Sequence, residues 1–375
     1  MKNSPASDTQ PLDIWVSDQL FLPEKQTRPC LLMMHHSHAD TEPETLFWNP
    51  LREALPRLVR VHRFDKLADA GDVVVIPQQA REWVGLRRTK QLRDMVRRIV
   101  ATGRTVVTFV GGAEYTPLPG EIAFAAAAYD SPRETVNPIP NWLYDLGDSI
   151  TPIARPDTPT VAFVGNTQYP SRLNSLLQSL RLPEPLLFRA VLSRKLGRFL
   201  DLKFRFVLAR CFRQRVLQAV KQASNLSLHL VERGNLFSFS ESDRAKARVE
   251  FLQAVQDNAY MLCMRGDANS DFRTWEVLSA GRIPVIVDTR QKLPALEGMR
   301  WEDFCVFVPP TELNRIGDIV GEYHAGLSED GFQEKCRMAR AAFEQLMPHR
   351  YIRRVIRTIR QQAVAANTPQ PVTNQ

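Results

Sequence analysis

Short apolar runs, mostly rich in β-branched residues and without polar alternation, recur along this chain and constrain its fold more than any other feature. Ile14–Val16, Cys30–Met34, Asp72–Pro77 and Thr105–Val110 are the first of them. A strand with one solvated face alternates apolar and polar side chains, whereas a strand covered on both faces, as in a parallel sheet, does not. Between the third and fourth runs, over residues 87–102, Leu92, Met95, Val96, Ile99 and Val100 recur at helical spacing among arginines. Strand, helix, strand is the βαβ unit. Residues 12–150 are therefore predicted to form one α/β, Rossmann-like lobe.

Pro152, Pro156 and Pro159 break any period over residues 150–159 and mark a linker. A second lobe is predicted over residues 155–348, since 375 residues suffice for two separate cores. It opens with a strand at Thr160–Gly165 and continues with helix-like runs to about residue 222. A strand at Ser227–Val231 and a helix at Ser242–Ala254 follow. The stretch Ala259–Val287 then parses as strand, polar loop, short helix closed by Gly281, and second buried strand. A helix over 334–347 ends near His349. The last helix, 350–365, carries Ile352, Val355, Ile356, Ile359 and Ala363 on one stripe and arginines on the other. It suits a helix that crosses back onto the first lobe as well as a surface helix of the second. Residues 1–11 and 366–375 lack any apolar period and read as flexible tails.

Several functional classes are disfavoured. No run approaches the roughly 20 apolar residues of a membrane span, and residues 1–12 hold no secretory or lipidation pattern. A cytoplasmic protein is expected. Five scattered cysteines without paired spacing read as reduced core thiols. The net charge of +8 is concentrated in residues 189–221 and 350–360, without the interleaved aromatics and glycines of a nucleic-acid platform. Nucleic acid is not an expected partner. The basic segment 189–221 reads either as a helix pair packed on its lobe or as a peripheral contact with an anionic membrane, on the inner face.

A strand that ends in a polar loop and then opens a helix presents backbone N–H groups at the carboxyl edge of its sheet, where anions are held. Here the loop is Arg265–Ser270. Ser270 or Asp271 suits the helix cap, and Ser270 could instead turn its hydroxyl and amide to a phosphate. Arg273 in the first turn offers a bidentate contact to a diphosphate. Glu276, three residues on, shares its face. Such a pair is also a common surface salt bridge, and spacing by itself does not separate the two readings.

The surrounding order does. Ser270, Arg273, Glu276, Gly281-Arg-Ile-Pro-Val285, Leu293-Pro294, Trp301-Glu-Asp-Phe304 and Val306-Phe-Val308 resemble the signature of the exostosin family of glycosyltransferases. The likeness is strongest over residues 250–345 and is closest to bacterial members, which carry Arg-Gly-Asp before the helix; Arg282 departs from the animal pattern. The resemblance implies α/β lobes in the GT-B arrangement, with two Rossmann-like parallel sheets facing a central cleft. It also implies an inverting transfer from a nucleoside-diphosphate sugar to a glycan or lipid-linked acceptor in cell-surface polysaccharide or glycolipid assembly, with no cofactor and no bound metal. Donor contacts carried over are Arg273 and Glu276 first, then Ser270, Arg265, Asn269 and Arg172. The general base is poorly marked. Glu114, just past the strand at 105–110, is placed to act as one, with His36 or His38 in reserve; His35-His36-Ser-His38 lacks the further ligand that a metal site needs. A non-catalytic protein that binds sugar nucleotides or glycans on the same scaffold is the alternative.

Overall fold

Two all-parallel sheets carry the chain, each in its own unit. The computed structural model describes residues 10–22, 29–36, 42–111, 115–132, 135–142, 144–167, 202–234, 240–266 and 268–367. The first unit comprises Met1–Trp142, Lys292–Pro294 and Leu346–Gln375. The second comprises Leu143–Gln291 and Ala295–Gln345.

In the first unit, β1 (Leu12–Val16), α1 (Glu42–Leu58), β2 (Val59–Arg63), β3 (Val73–Val75), α2 (Ala80–Gly85), α3 (Thr89–Val100), β4 (Thr105–Gly111), β5 (Glu121–Ala125) and β6 (Asn137–Pro138) follow in order. The sheet order is β2-β1-β3-β4-β5-β6. The helical stripe read from the sequence is buried at Leu92, Met95, Val96 and Ile99, against a core that includes Val74, Val106 and Val110. One strand expectation fails. Cys30–Met34 is not extended: Leu31–His36 forms a 3-10 helix, opened by a bond from the Met33 N–H to the Cys30 carbonyl (3.0 Å). Leu-Leu-Met-Met is a helix-tolerant run without β-branching, and its apolarity reflects burial, which both conformations provide. Conversely, β2 and β5 lie outside the apolar runs singled out as strands; β5 falls in the alanine-rich stretch 121–129, where low β-propensity hides a fully buried strand.

The second unit holds β7 (Thr160–Asn166), α4 (Leu202–Lys221), β8 (Ser227–Arg233), α5 (Glu241–Asp257), β9 (Tyr260–Cys263), α6 (Arg273–Ser279), β10 (Ile283–Val287), β11 (Val306–Val308), α7 (Ile316–Ala325) and α8 (Glu329–Gln345). The sheet order is β11-β10-β9-β7-β8. Counted from each unit's own first strand, the second sheet follows the doubly wound order 2-1-3-4-5 and the first the same order with a sixth strand added, each with a topological switch between the first and third strands. Phe212, Val216, Leu217 and Val220 of α4 bury against β7 and β9 residues such as Val161, Phe163 and Leu262. Within residues 209–221, Gln218 and Lys221 alone are exposed, so this part of the basic segment is packed on its unit.

The last helix, α9 (Pro348–Asn367), belongs to the first unit and lies against α1. Ile352, Val355, Ile356 and Ile359 are buried, and Tyr351 donates its hydroxyl to the Pro138 carbonyl (2.8 Å).

Candidate functional site

The second unit's sheet opens at its switch. β7 pairs with β8 along its full length, to Asn166, whereas its pairing with β9 ends at Ala162 and Met261. Past that point β7 and β9 diverge, and backbone carbonyls near their carboxyl ends need other donors. Two arginines supply them. Arg273 donates from Nη2 to the Val164 carbonyl (2.7 Å), and Arg213 of α4 donates from Nη1 to the Asn166 carbonyl (2.9 Å) and from Nε to the Arg265 carbonyl (2.8 Å). Ligands of doubly wound sheets bind in this crevice. Guanidinium groups there give it positive charge.

Glu276 is buried and its carboxylate is held at both oxygens. Oε2 accepts from Arg273 Nη1 at 2.8 Å; Oε1 accepts from the Tyr144 hydroxyl and from Arg248 Nη1, each at 3.3 Å. Rings brace both cations: Arg273 lies 3.9 Å from the Phe251 centroid and Arg248 lies 4.1 Å from that of Tyr144. The i, i+3 pair thus exists, but as part of a four-residue cluster around a buried carboxylate and not as a solvated surface bridge. Burial, and next the Glu276 charge, push the Tyr144 hydroxyl up, so it stays a donor.

Of the other carried-over residues, Ser270, Asn269 and Arg265 share one loop and differ in what they bond. Asp271, not Ser270, caps the helix: its Oδ1 accepts the Thr274 N–H (2.7 Å) and its Oδ2 the Thr274 hydroxyl (3.2 Å). Burial raises the pKa of Asp271, while Thr274, Arg213 and Arg273 oppose the rise. Ser270 donates its own N–H to the Ala268 carbonyl (2.7 Å), so its hydroxyl is what it has to offer. Asn269 is fully buried and accepts the Thr289 hydroxyl at Oδ1 (2.7 Å), tying the loop to the end of β10. Arg265 is buried as well. The expected helix-end contribution is small, because α6 spans only Arg273–Ser279 and the positive charge comes from side chains. Three buried polar atoms at this edge, Asn166 Oδ1, Thr167 Oγ1 and Asn269 Nδ2, have no hydrogen-bond partner among the described residues.

Parts of the sequence signature turn out to be architecture. Gly281 adopts φ +60, which lets the chain leave α6 and enter β10 at once. Trp301 packs edge-on to Trp275 (6.0 Å) and lies 5.7 Å from Phe304. Arg282, almost wholly buried, donates to the carbonyls of Val255 (2.9 Å), Gln256 (3.2 Å), Ala280 (3.3 Å) and Thr151 (2.8 Å). It pins the linker to the end of α5.

Arg213, Arg248 and Tyr144 escape a reading by motif. A signal for two of them exists: Arg213 adjoins Phe212 on the buried stripe of α4, and Arg248 adjoins Ala247 on that of α5, where a charged residue at a stripe's edge is pulled inward. Tyr144 has none. Arg172, Glu114 and His38 lie outside the described residues, as do the side chains of His35 and His36. Among the described residues no three His, Cys, Asp or Glu side chains assemble as a metal site, and no helix is long and apolar enough to cross a membrane. The five thiols are free, and burial pushes Cys30 up to about 12 and Cys336 to about 11.

No family model matches the chain, and no curated relative does. Among solved structures it is similar to an α1,3-fucosyltransferase at TM-score 0.41 and 10% identity, over 99% of this chain and 95% of that one. It is also similar to an α,α-trehalose-phosphate synthase (UDP-forming) from Burkholderia vietnamiensis, at TM-score 0.36 and 10% identity over 96% and 100%. A glycosyltransferase from Rickettsia africae ESF-5 gives TM-score 0.35 and 9% identity over 94% and 99%. Likenesses this slight do not assign roles to residues, which rest on the geometry of this chain.

Proposed function

We propose that the chain is a glycosyltransferase of the GT-B type, exostosin-like, which binds a nucleoside-diphosphate sugar in the crevice between β7 and β9. The observation that carries this reading is the pairing of cation and carboxylate at the switch edge. Arg273 is pinned to Val164 with its guanidinium partly accessible, and Glu276 is buried beside it. A diphosphate matches the guanidinium groups of Arg273 and Arg213, while ribose hydroxyls match the carboxylate. In the inverting transfer that the motif order suggests, an acceptor hydroxyl oxygen attacks the anomeric carbon and the bond from that carbon to the diphosphate oxygen breaks. The leaving diphosphate is stabilised by the arginines, and the hydroxyl proton passes to a general base. Glu114 is the sequence candidate for that base, and a glycan or lipid-linked acceptor is the substrate class.

Thermal-shift screening against UDP-, GDP- and CMP-linked sugars tests the reading, since a donor that binds the folded state raises its apparent stability by mass action. One nucleotide class is expected to stand out. Arg273→Ala and Glu276→Ala should abolish that shift while leaving the far-ultraviolet circular dichroism unchanged. Nucleoside diphosphate release with acceptor then marks the transferase; binding with no transfer to any glycan marks a sugar-nucleotide binder instead. No response to the whole panel sinks the proposal.

A further inference from the structure

We propose that Tyr144 and Arg248 are positioning residues that fix the carboxylate plane of Glu276 and so make the site discriminate ribose from deoxyribose in its nucleotide; this rests on the reading of Glu276 as the ribose acceptor. The two carboxylate oxygens are unequally engaged. Oε2 is occupied by Arg273 at 2.8 Å, a short charge-assisted bond, whereas both contacts to Oε1 are long, at 3.3 Å. Oε1 has two partners, but both contacts are long, so it is the oxygen whose weak bonds an incoming hydroxyl can share or replace. Tyr144 and Arg248 hold the carboxylate so that this oxygen keeps one direction.

Both residues are themselves immobilised. The Arg248 guanidinium lies over the Tyr144 ring and 5.4 Å from the Phe251 centroid, and Phe251 in turn carries Arg273, so the two rings and two guanidinium groups stack in alternation. Tyr144 is fixed from the other side by the strap that bears it. Asp145 pairs with Arg340 through both carboxylate oxygens, the Leu146 N–H donates to Ser279 Oγ (3.1 Å), and the Gly147 N–H returns to Asp145 Oδ1 (2.8 Å). Ser279 sits on α6, the helix that carries Glu276. Strap and helix therefore move as one, and the geometry around Oε1 is set before any ligand arrives.

A buried acceptor with a fixed direction penalises a ligand that lacks the matching hydroxyl, because the acceptor is left without its partner. A carboxylate free to turn relaxes onto whatever donors remain and discriminates less. Removing Tyr144 or Arg248 should therefore weaken binding of the ribonucleotide and leave the deoxyribonucleotide nearly unaffected.

Isothermal titration of the full chain with UDP, 2′-deoxy-UDP, GDP and 2′-deoxy-GDP measures this directly. The parent protein should prefer the ribo form of its nucleotide by about ten-fold or more. In Tyr144→Phe and in Arg248→Met, which keeps the packing volume, that ratio should fall to about two-fold, with deoxyribonucleotide affinity within about a factor of two of the parent. A parental ratio retained in either variant with an unchanged melting temperature overturns the proposal. Glu276→Gln separates the underlying reading. If that variant keeps the parental ratio, or if the parent binds no nucleoside diphosphate, the ribose role of Glu276 fails first and this inference with it.

Discussion

The carboxyl edges of the two sheets share a strand order and are filled by different chemistry. In both, the ladder between the first and third strands is cut short: β7 and β9 pair at two positions, β1 and β3 at Trp15 and Val74 alone. In the second unit the freed carbonyls of Val164, Asn166 and Arg265 are taken by guanidinium groups. In the first, neutral groups close the gap. The Cys30 N–H donates to the Pro77 carbonyl (2.7 Å) and the Leu22 N–H to Gln78 Oε1 (3.1 Å). Arg81, beside Gly111 at the end of β4, pairs with Glu82 (3.4 Å). Topology makes a crevice in each sheet; side-chain charge decides which of them suits an anion.

The sharpest way to break that contrast lies within the second unit, at the amino end of β10. Arg282 is a buried cation there, unlike the half-buried Arg273 and Arg213 at the opposite edge, and its bonds to Val255, Gln256, Ala280 and Thr151 lie away from the crevice. Arg282→Met should cost about 3 kcal/mol, since it orphans buried acceptors, and should leave nucleotide affinity unchanged well below the melting temperature. Denaturant unfolding and titration read the two separately; a loss of affinity in the folded variant would erase the distinction between the edges. A smaller effect is expected from Arg213→Met: about 2 kcal/mol, with nucleoside diphosphate affinity down by about ten-fold. Its counterpart, Arg81→Met, should stay within about 0.5 kcal/mol and leave affinity alone. Equal outcomes for Arg213 and Arg81 would mean that charge does not set the two crevices apart.

How much of this was legible beforehand depends on what each residue answers to. Strands covered on both faces announce themselves through β-branched runs, so β3, β4, β7 and β10 were foreseen, and β9, Tyr-Met-Leu-Cys, was foreseen from unbroken apolarity alone. Cys30–Met34 shows the limit, because apolarity records burial and not backbone direction. At the site, Arg273 and Glu276 were legible from their helical spacing within an ordered motif. Their partners were not. Tyr144 reaches Glu276 across 132 positions of sequence and Arg248 across 28, and a contact made by tertiary folding leaves no local period. Arg282, a departure from the animal pattern of the family it resembles, is among the largest fully buried side chains of the described residues, which no spacing announces.

A last contrast between the two units lies in two buried groups whose burial acts with opposite sign on pH dependence. In the second unit His324 is buried, with Nε2 2.8 Å from the Pro156 carbonyl and Nδ1 2.9 Å from the Tyr260 hydroxyl. A carbonyl only accepts, so Nε2 carries the proton and neutral Nδ1 accepts from Tyr260. Burial lowers the pKa of His324, which therefore binds protons more readily in the unfolded chain. Its stabilisation is complete above about pH 6.5 and is lost as pH falls below that value towards the folded pKa. In the first unit burial raises the pKa of Glu121, which accepts from the Tyr115 hydroxyl and the Leu118 N–H, each at 2.8 Å. Here the folded state binds the proton more readily, so stability is fullest below about pH 4.5 and declines as pH rises towards the folded value. Chemical denaturation from pH 4 to 8 of the parent, His324→Gln and Glu121→Gln should give difference curves of opposite slope. His349, also lowered by burial, adds a step of the same sign as His324, but it is common to parent and variants and drops out of each difference. Parallel curves for the two variants would show that burial does not govern both groups.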